Sequence, residues 1–289
     1  MENVDIIAAC SDLGIHIDGA ALGPYKLIES IDNHNIIKID KLDNIRKDLS
    51  KDNKRKNLKG VNLFNVKLYN KSLQSLNNNK FPLTIAGDHS IAIGSSLASI
   101  KKYNNLGIIW FDAHGDFNTF DTTISGNIHG IPLAAITNYE KKYLTDFHNG
   151  NYYNPKNTVI IGARDLDKLE KENIQDAGIT VFTTEDIKNK GFEHVYEEAF
   201  KIASLGTNGI HISYDLDVID PKFAPGVSVP VENGINETEA FKFIDYIIKY
   251  KNLVKSMDLV EFNPLKDVND KTLNLAKGLL YKVLDIKNP

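Results

Sequence analysis

Eight short apolar runs, set between stretches of helical periodicity, constrain this chain more than any other feature. The runs are Val4 to Ala9, Ile36 to Ile39, Leu83 to Ala86, Gly107 to Phe111, Val159 to Gly162, Thr180 to Phe182, Ile210 to Tyr214 and Ser256 to Val260. Helical patterns fall at Leu22 to Ile31, Val61 to Asn77, Ile91 to Tyr103, Leu166 to Ala177, Glu193 to Ser204, Glu237 to Tyr250 and Lys271 to Leu284. Strands alternating with helices predict an α/β fold, a three-layer α/β/α sandwich on a mostly parallel eight-stranded sheet. No internal repeat and no Pro/Gly/Ser-rich linker divides the 289 residues, so a single domain over 1–289 is expected. The segment Lys41 to Lys59 is crowded with Lys, Asp, Asn and Arg and reads as a solvated loop without chemistry.

Charge and cysteine content narrow the function classes. A formal net charge of -4, with both signs interspersed, provides no basic face for nucleic acid and no polybasic membrane anchor. Small molecules are the expected partners. The only cysteine, Cys10, lies beside a hydrophobic strand, which suits core filler in a reducing cytoplasm better than a nucleophile. The terminus Met-Glu-Asn-Val-Asp has no basic leader region, and no apolar stretch approaches the roughly 18 residues of a membrane span. A cytoplasmic location is therefore expected.

Chemistry concentrates behind the strands. Asp112-Ala113-His114-Gly115-Asp116 follows the run Leu106 to Phe111, which reads as a strand buried on both faces. In parallel sheets ligands bind outside the carboxyl ends of strands. Along an extended chain Asp112, His114 and Asp116 would face one side, with Ala113 and Gly115 small enough to let backbone crowd a cation. Taken alone, the pentapeptide is equally a strand exit with capping aspartates. Gly87-Asp88-His89-Ser90 follows another strand, where Asp88 or Ser90 as a helix cap competes with His89 as a ligand. Asp215-Leu216-Asp217 repeats the paired carboxylates at a third exit, whereas His211 alternates within its strand and reads as a packed histidine.

His89, Asp112, His114, Asp116, Asp215 and Asp217 together supply four carboxylates and two imidazoles. Six side chains exceed the usual needs of one catalytic zinc, and an oxygen-rich set favours two Mg or Mn ions. Two such ions at roughly 3.5 to 4 Å activate a shared water, so the expected chemistry is hydrolysis.

Five blocks carry a family likeness: Ala86-Gly-Asp-His-Ser90, Asp112-Ala-His-Gly-Asp116, Ser125-Gly-Asn-Ile-His-Gly130, Ser213-Tyr-Asp-Leu-Asp217 and Asp258-Leu-Val-Glu-Phe-Asn-Pro264. With these in order, and a Gly14 to Pro24 segment of similar flavour, the chain resembles the ureohydrolase superfamily of arginases and agmatinases almost end to end. The resemblance, strongest to bacterial arginases, implies an arginase/deacetylase-like sandwich with two Mn2+ per subunit. It makes Asp112 and Asp215 bridging ligands, with His89 and Asp116 completing one ion's shell and His114 and Asp217 the other's. It implies hydrolysis of L-arginine to L-ornithine and urea by a bridging hydroxide, with Asp116 relaying the proton and His129 exchanging protons with solvent. Glu261 would hold the guanidinium, Asn118, Ser125 and Asn127 the α-carboxylate, and Asp167, with Glu170 nearby, the α-amino group. Trimers or hexamers are implied in the same way.

One block departs from the pattern. Pro225-Gly-Val-Ser-Val-Pro230 places Val229 where many members carry a threonine whose hydroxyl contacts the guanidinium region. A similar Pro-Gly-Val-Ser stretch occurs in formiminoglutamate hydrolases, which generally lack the Ser-Gly-Asn-x-His loop. Agmatinases have no α-carboxylate or α-amino group to recognise, so Asn118, Ser125 and Asp167 favour arginine. The competing readings are another ureohydrolase or a catalytically silent relative.

Overall fold

Ile108 and Trp110 point to one face of the sheet and Ile109 and Phe111 to the other, and all four side chains are fully buried. Helices cover both faces, which explains why the strands are continuous apolar runs rather than alternating ones. The computed structural model describes residues 3–29, 31–32, 34–42, 47, 53–140 and 143–285. Ser30 of the expected first helix, and much of the segment Lys41 to Lys59, lie outside them.

The strands are β1 (Val4–Ala9), β2 (Asn35–Ile39), β3 (Phe81–Ala86), β4 (Gly107–Phe111), β5 (Thr158–Ala163), β6 (Thr180–Thr183), β7 (Ile210–Asp215) and β8 (Val254–Val260). They form one sheet in the order β2-β1-β3-β8-β7-β4-β5-β6, and every neighbouring pair is parallel. All eight runs read from the sequence are strands, each within two residues of its expected ends. Against the Phe111 face lie α1 (Gly23–Ile28), α6 (Thr184–Lys190), α7 (Phe192–Ser204), α8 (Glu237–Lys249) and α9 (Lys271–Leu284). Against the Trp110 face lie α2 (Leu58–Asn77), α3 (Ala92–Tyr103), α4 (Pro132–Ile136) and α5 (Lys168–Ala177). The three-layer sandwich is therefore the architecture of the chain, with a sheet that is wholly rather than mostly parallel.

Two helices lie outside the helical patterns given above. In α6 the Thr183 hydroxyl accepts from the Asp186 N–H at 3.0 Å and the Asp186 carboxylate accepts from the Thr183 N–H at 3.0 Å, a reciprocal cap. That pattern, Thr183-Thr184-Glu185-Asp186, was visible in the sequence. The single-turn α4 sits inside the long connection from β4 to β5, started by Pro132 at its first position.

The centre of the sheet joins strands remote in sequence. In β3-β8-β7-β4, the carboxyl ends of four strands drawn from across the chain become adjacent. Close backbone approach brings their loops together. A Cβ on Gly87, just past β3, would lie 1.8 Å from the Ser11 carbonyl, so the loops after β1 and β3 touch through a glycine. Below that edge, His211 of β7 is buried and bonded to Ser256 at 2.7 Å and Asp258 at 3.1 Å, the packed histidine expected. Cys10 is likewise buried, and burial pushes its thiol up to about 11. Among the described residues no helix is long and apolar enough to cross a membrane.

Candidate active site

Each central strand delivers an acid or a histidine as it ends. His89 follows β3, Asp112, His114 and Asp116 follow β4, Asp215 ends β7 and Asp217 follows it, and Glu261 follows β8. Local hydrogen bonds aim them. Asp88 accepts from the N–H groups of Ser90 at 2.9 Å and Gly14 at 3.0 Å, so it caps the short turn that follows while its neighbour His89 points into the cluster. His89 Nε2 lies 2.8 Å from the Ser213 hydroxyl, and its ring stacks on Trp110 with centroids 4.0 Å apart. Trp110 in turn donates to Asp112 Oδ2 at 3.0 Å.

Two groups of ligand atoms result. His89, Asp112 and Asp215 form one, and Asp112, His114 and Asp217 the other, each with its ligand atoms within 4.8 Å of one another. Asp112 belongs to both. His89 Nδ1 lies 3.0 Å from Asp112 Oδ2, 3.1 Å from Asp116 Oδ2 and 3.0 Å from Asp215 Oδ2. His114 Nδ1 lies 2.9 Å from Asp217 Oδ2 and 3.4 Å from Asp112 Oδ1. Asp116 thus flanks the first group, whereas Asp215 falls in that group alone.

These atoms fit a cation better than each other. His89 Nδ1 and Asp116 Oδ2 are buried and make no hydrogen bond of acceptable geometry, close as they are. Four carboxylates are crowded together out of water, which is costly without positive charge. Burial, and then the Asp112 charge, pushes Asp116 up to about 6. Burial and neighbouring carboxylates also raise Asp215 and Asp217. Asp112 is held below the ordinary range, since the two histidines outweigh its burial. Lone pairs converging on a shared region, with oxygen donors in the majority, match hard divalent cations.

Backbone strain marks two of the acids. Asp116 and Glu261 have φ of 49° and 68°, a left-handed conformation uncommon outside glycine and unusual for glutamate. The extended alternation expected of Asp112 to Asp116 therefore breaks at Asp116. A Cβ on Gly115 would press at 2.9 to 3.0 Å on Leu166, Ile174 and Glu170, so the missing side chain also admits α5 and the residues before it.

Above the cluster opens a cavity of about 340 Å³. Its lining includes His114, Asp116, Asn118, Ser125, Asn127, His129, Asp167 and Glu170, and also Val229. His89, Asp112, Asp215, Asp217 and Glu261 lie outside that lining, buried to within a few per cent. Glu261 Oε1 accepts the His89 N–H at 2.9 Å and stands 3.3 Å from His129 Nδ1. Asn118 donates to Asp167 Oδ2 at 3.3 Å, which joins two expected substrate contacts. Glu170 spends its oxygens on the N–H groups of Phe117 at 2.9 Å and Asp167 at 3.3 Å, and burial pushes it up to about 8. It braces Asp167.

The sequence reading missed several participants. His16 lines the cavity and its Nδ1 lies 2.8 Å from Asn127 Nδ2. Lys54 and Lys56, from the segment expected to be plain solvated loop, bond the carbonyls of Thr123 and Ser125. Neither had a local signal, because lysines in a polar stretch look alike whether or not they reach a site.

A parallel α/β sheet whose central strands end in two linked His/Asp groups beneath a cavity makes this a candidate two-metal site at the place where such sheets bind ligands. Comparison with known proteins supplies the family. The model of the Arginase family matches residues 2–285. The chain is 39% identical to the arginase of Staphylococcus aureus (strain COL) across 96% of this chain and 95% of that protein. It is 37% identical to the arginase of Bacillus subtilis (strain 168), covering 99% of each. The arginase structure from Bacillus caldovelox superposes with a TM-score of 0.91 at 34% identity, covering 100% of this chain and 99% of that one. The chain belongs to the arginase family.

Proposed function

We propose that this chain is an arginase that hydrolyses L-arginine to L-ornithine and urea with two Mn2+ ions. The observation that carries the reading is the layout of the cavity. Its lining provides Asn118, Ser125, Asn127 and Asp167 for an amino-acid head group, while Asp116 and His129 face it beside a buried, strained Glu261. Relatives named arginase at 37–39% identity support the same substrate.

His89, Asp112, Asp116 and Asp215 would hold one ion, and Asp112, His114 and Asp217 the other, to which the family resemblance adds Asp215. When bound, the ions lower the pKa of a water towards neutrality and so supply the nucleophile. Glu261 binds the planar guanidinium by charge-assisted hydrogen bonds, held in place by the His89 N–H and by His129. Asn118, Ser125 and Asn127 bind the α-carboxylate and Asp167 the α-amino group. Glu170, reading first as a substrate contact, acts by fixing Asp167. As the C–N bond to the ornithine nitrogen breaks, Asp116 passes the proton taken from water to that nitrogen. His129, 18% exposed, exchanges the proton with solvent.

The enzyme in this reading is a single-domain homo-oligomer of the cytoplasm, trimeric or hexameric, with no nucleic acid or membrane partner; size-exclusion chromatography with light scattering checks the assembly. The substrate is tested with Mn-loaded protein on L-arginine, agmatine, guanidinobutyrate and formiminoglutamate. Urea released fastest from L-arginine is expected. Agmatine preferred over arginine would remove the roles of Asn118 and Asp167, and no product from any of the four would make the chain a silent relative. Val229 in the cavity lining favours formiminoglutamate as the second substrate to examine.

A further inference from the structure

We propose that Lys54 and Lys56 form a cationic clamp that positions the cavity loop Thr123 to Asn127 for recognition of the substrate's α-carboxylate. The inference rests on the amino-acid substrate proposed above. Three successive carbonyls of the loop face these two ammonium groups. Lys54 Nζ donates to the Thr123 carbonyl and, at 3.4 Å, to that of Ile124, and Lys56 Nζ donates to the Ser125 carbonyl at 2.6 Å. Thr123, Ile124, Ser125 and Asn127 also line the cavity.

The two segments touch along their backbones. Gly126 has φ of 71°, and a Cβ there would lie 2.2 Å from the Asn53 carbonyl, so the loop seats directly on the lysine segment. The lysine segment is anchored in turn, because Asn57 Nδ2 donates to the Leu13 carbonyl at 2.9 Å. A trans peptide carries its N–H opposite its carbonyl. Holding the carbonyls of Thr123 and Ile124 towards the lysines therefore turns the N–H groups of Ile124 and Ser125 away from them.

Electrostatics explains why lysines are needed there. Among the described residues, the cavity lining holds Asp116, Asp165, Asp167 and Glu170 and no Lys or Arg. An α-carboxylate entering that wall meets like charge, and the clamp sets two positive charges behind the loop that must receive it. Lys56 is only 7% exposed, and burying an ammonium is costly unless its charge is used. Carbonyls bonded to a cation also polarise their peptides, which strengthens the attached N–H donors.

The clamp is tested on the Mn-loaded protein with Lys56→Met and Lys56→Arg. Direct binding of L-ornithine, which has the α-carboxylate, is compared with that of putrescine, which lacks it, alongside KM and kcat for L-arginine. Lys56→Met should weaken ornithine binding and raise KM by about tenfold, the loss of one charged hydrogen bond. Putrescine binding and kcat should stay within about twofold, and Lys56→Arg should restore the ornithine affinity. Equal losses for ornithine and putrescine, an unchanged ornithine affinity, or failure of Lys56→Arg to rescue would each overturn the clamp. Should Lys56→Met not fold, Lys54→Met at its exposed position carries the same comparison. Wild-type protein that binds ornithine but releases no urea from arginine counts against the proposed function and not against the clamp.

Discussion

Glu261 and His129 meet through Oε1 and Nδ1 at 3.3 Å, although 132 positions apart in a chain whose β8 supplies one and whose β4 exit loop supplies the other. Burial disfavours the imidazolium of His129, but Glu261 outweighs it and holds the histidine above its ordinary pKa. A proton is thereby kept where the cavity meets the buried carboxylate. His129 belongs to neither group of candidate ligands. His129→Ala should therefore lower turnover by about a hundredfold or more while leaving Mn content unchanged. Loss of metal, measured by elemental analysis, would remove its role as a proton carrier.

Trp110 is the chain's sole tryptophan, and it stacks on His89 while donating to Asp112. It is a reporter built into the candidate metal centre. Mn2+ is paramagnetic, so titrating it into metal-free protein should quench tryptophan fluorescence. Replacing Trp110 by Phe keeps the stacked ring and removes the indole donor. Metal affinity, measured by chelator competition, should then fall by about tenfold to a hundredfold, as when other supporting hydrogen bonds to ligands are lost. Fluorescence indifferent to Mn2+ would place the metal elsewhere.

Val229 lines the cavity at the position where the family resemblance leads one to expect a threonine. A valine methyl cannot bond a guanidinium, so Val229→Thr restores a hydroxyl of nearly equal volume. The expected outcome is a KM for L-arginine lower by about threefold to tenfold, the worth of one hydrogen bond. An unchanged KM in steady-state kinetics would show that the hydroxyl is dispensable in this cavity.

The strands were legible because Ile108 to Phe111 and their counterparts are apolar on both faces, a signature that needs no tertiary knowledge. The ligand residues were legible because each lies one to five positions beyond such a run. Their neighbours were not. Nothing local says that β8 lies between β3 and β7, so the bond from the His89 N–H to Glu261, spanning 172 positions, is a product of topology. Family likeness could suggest the role of Glu261 but not its contact. Lys54 and Lys56 were missed for the opposite reason, since a lysine in a polar stretch has the same local signature in solvent and against a carbonyl. For α6 the local signal existed, in the reciprocal cap of Thr183 and Asp186, but the segment has few apolar positions to mark a helical face.

That cap also sets a pH dependence far from the candidate metal centre. Asp186 is lowered to about 2, first by its bond to Lys190 at 2.7 Å and then by the Thr183 N–H. A carboxylate with a depressed folded pKa stabilises the native state above its unfolded value near 4, and that stability is lost as pH falls towards 2. Asp186→Asn retains an acceptor for Thr183 and removes the charge. Because Lys190 is 48% exposed and Asp186 28%, solvent screens the pair, and the loss near neutrality should stay below about 1 kcal/mol. Urea unfolding of wild type and variant should show that gap near neutral pH and its closure as pH falls from about 4 towards 2. A gap that persists undiminished through that window would mean that the shape of the cap, and not the ionised carboxylate, holds the start of α6.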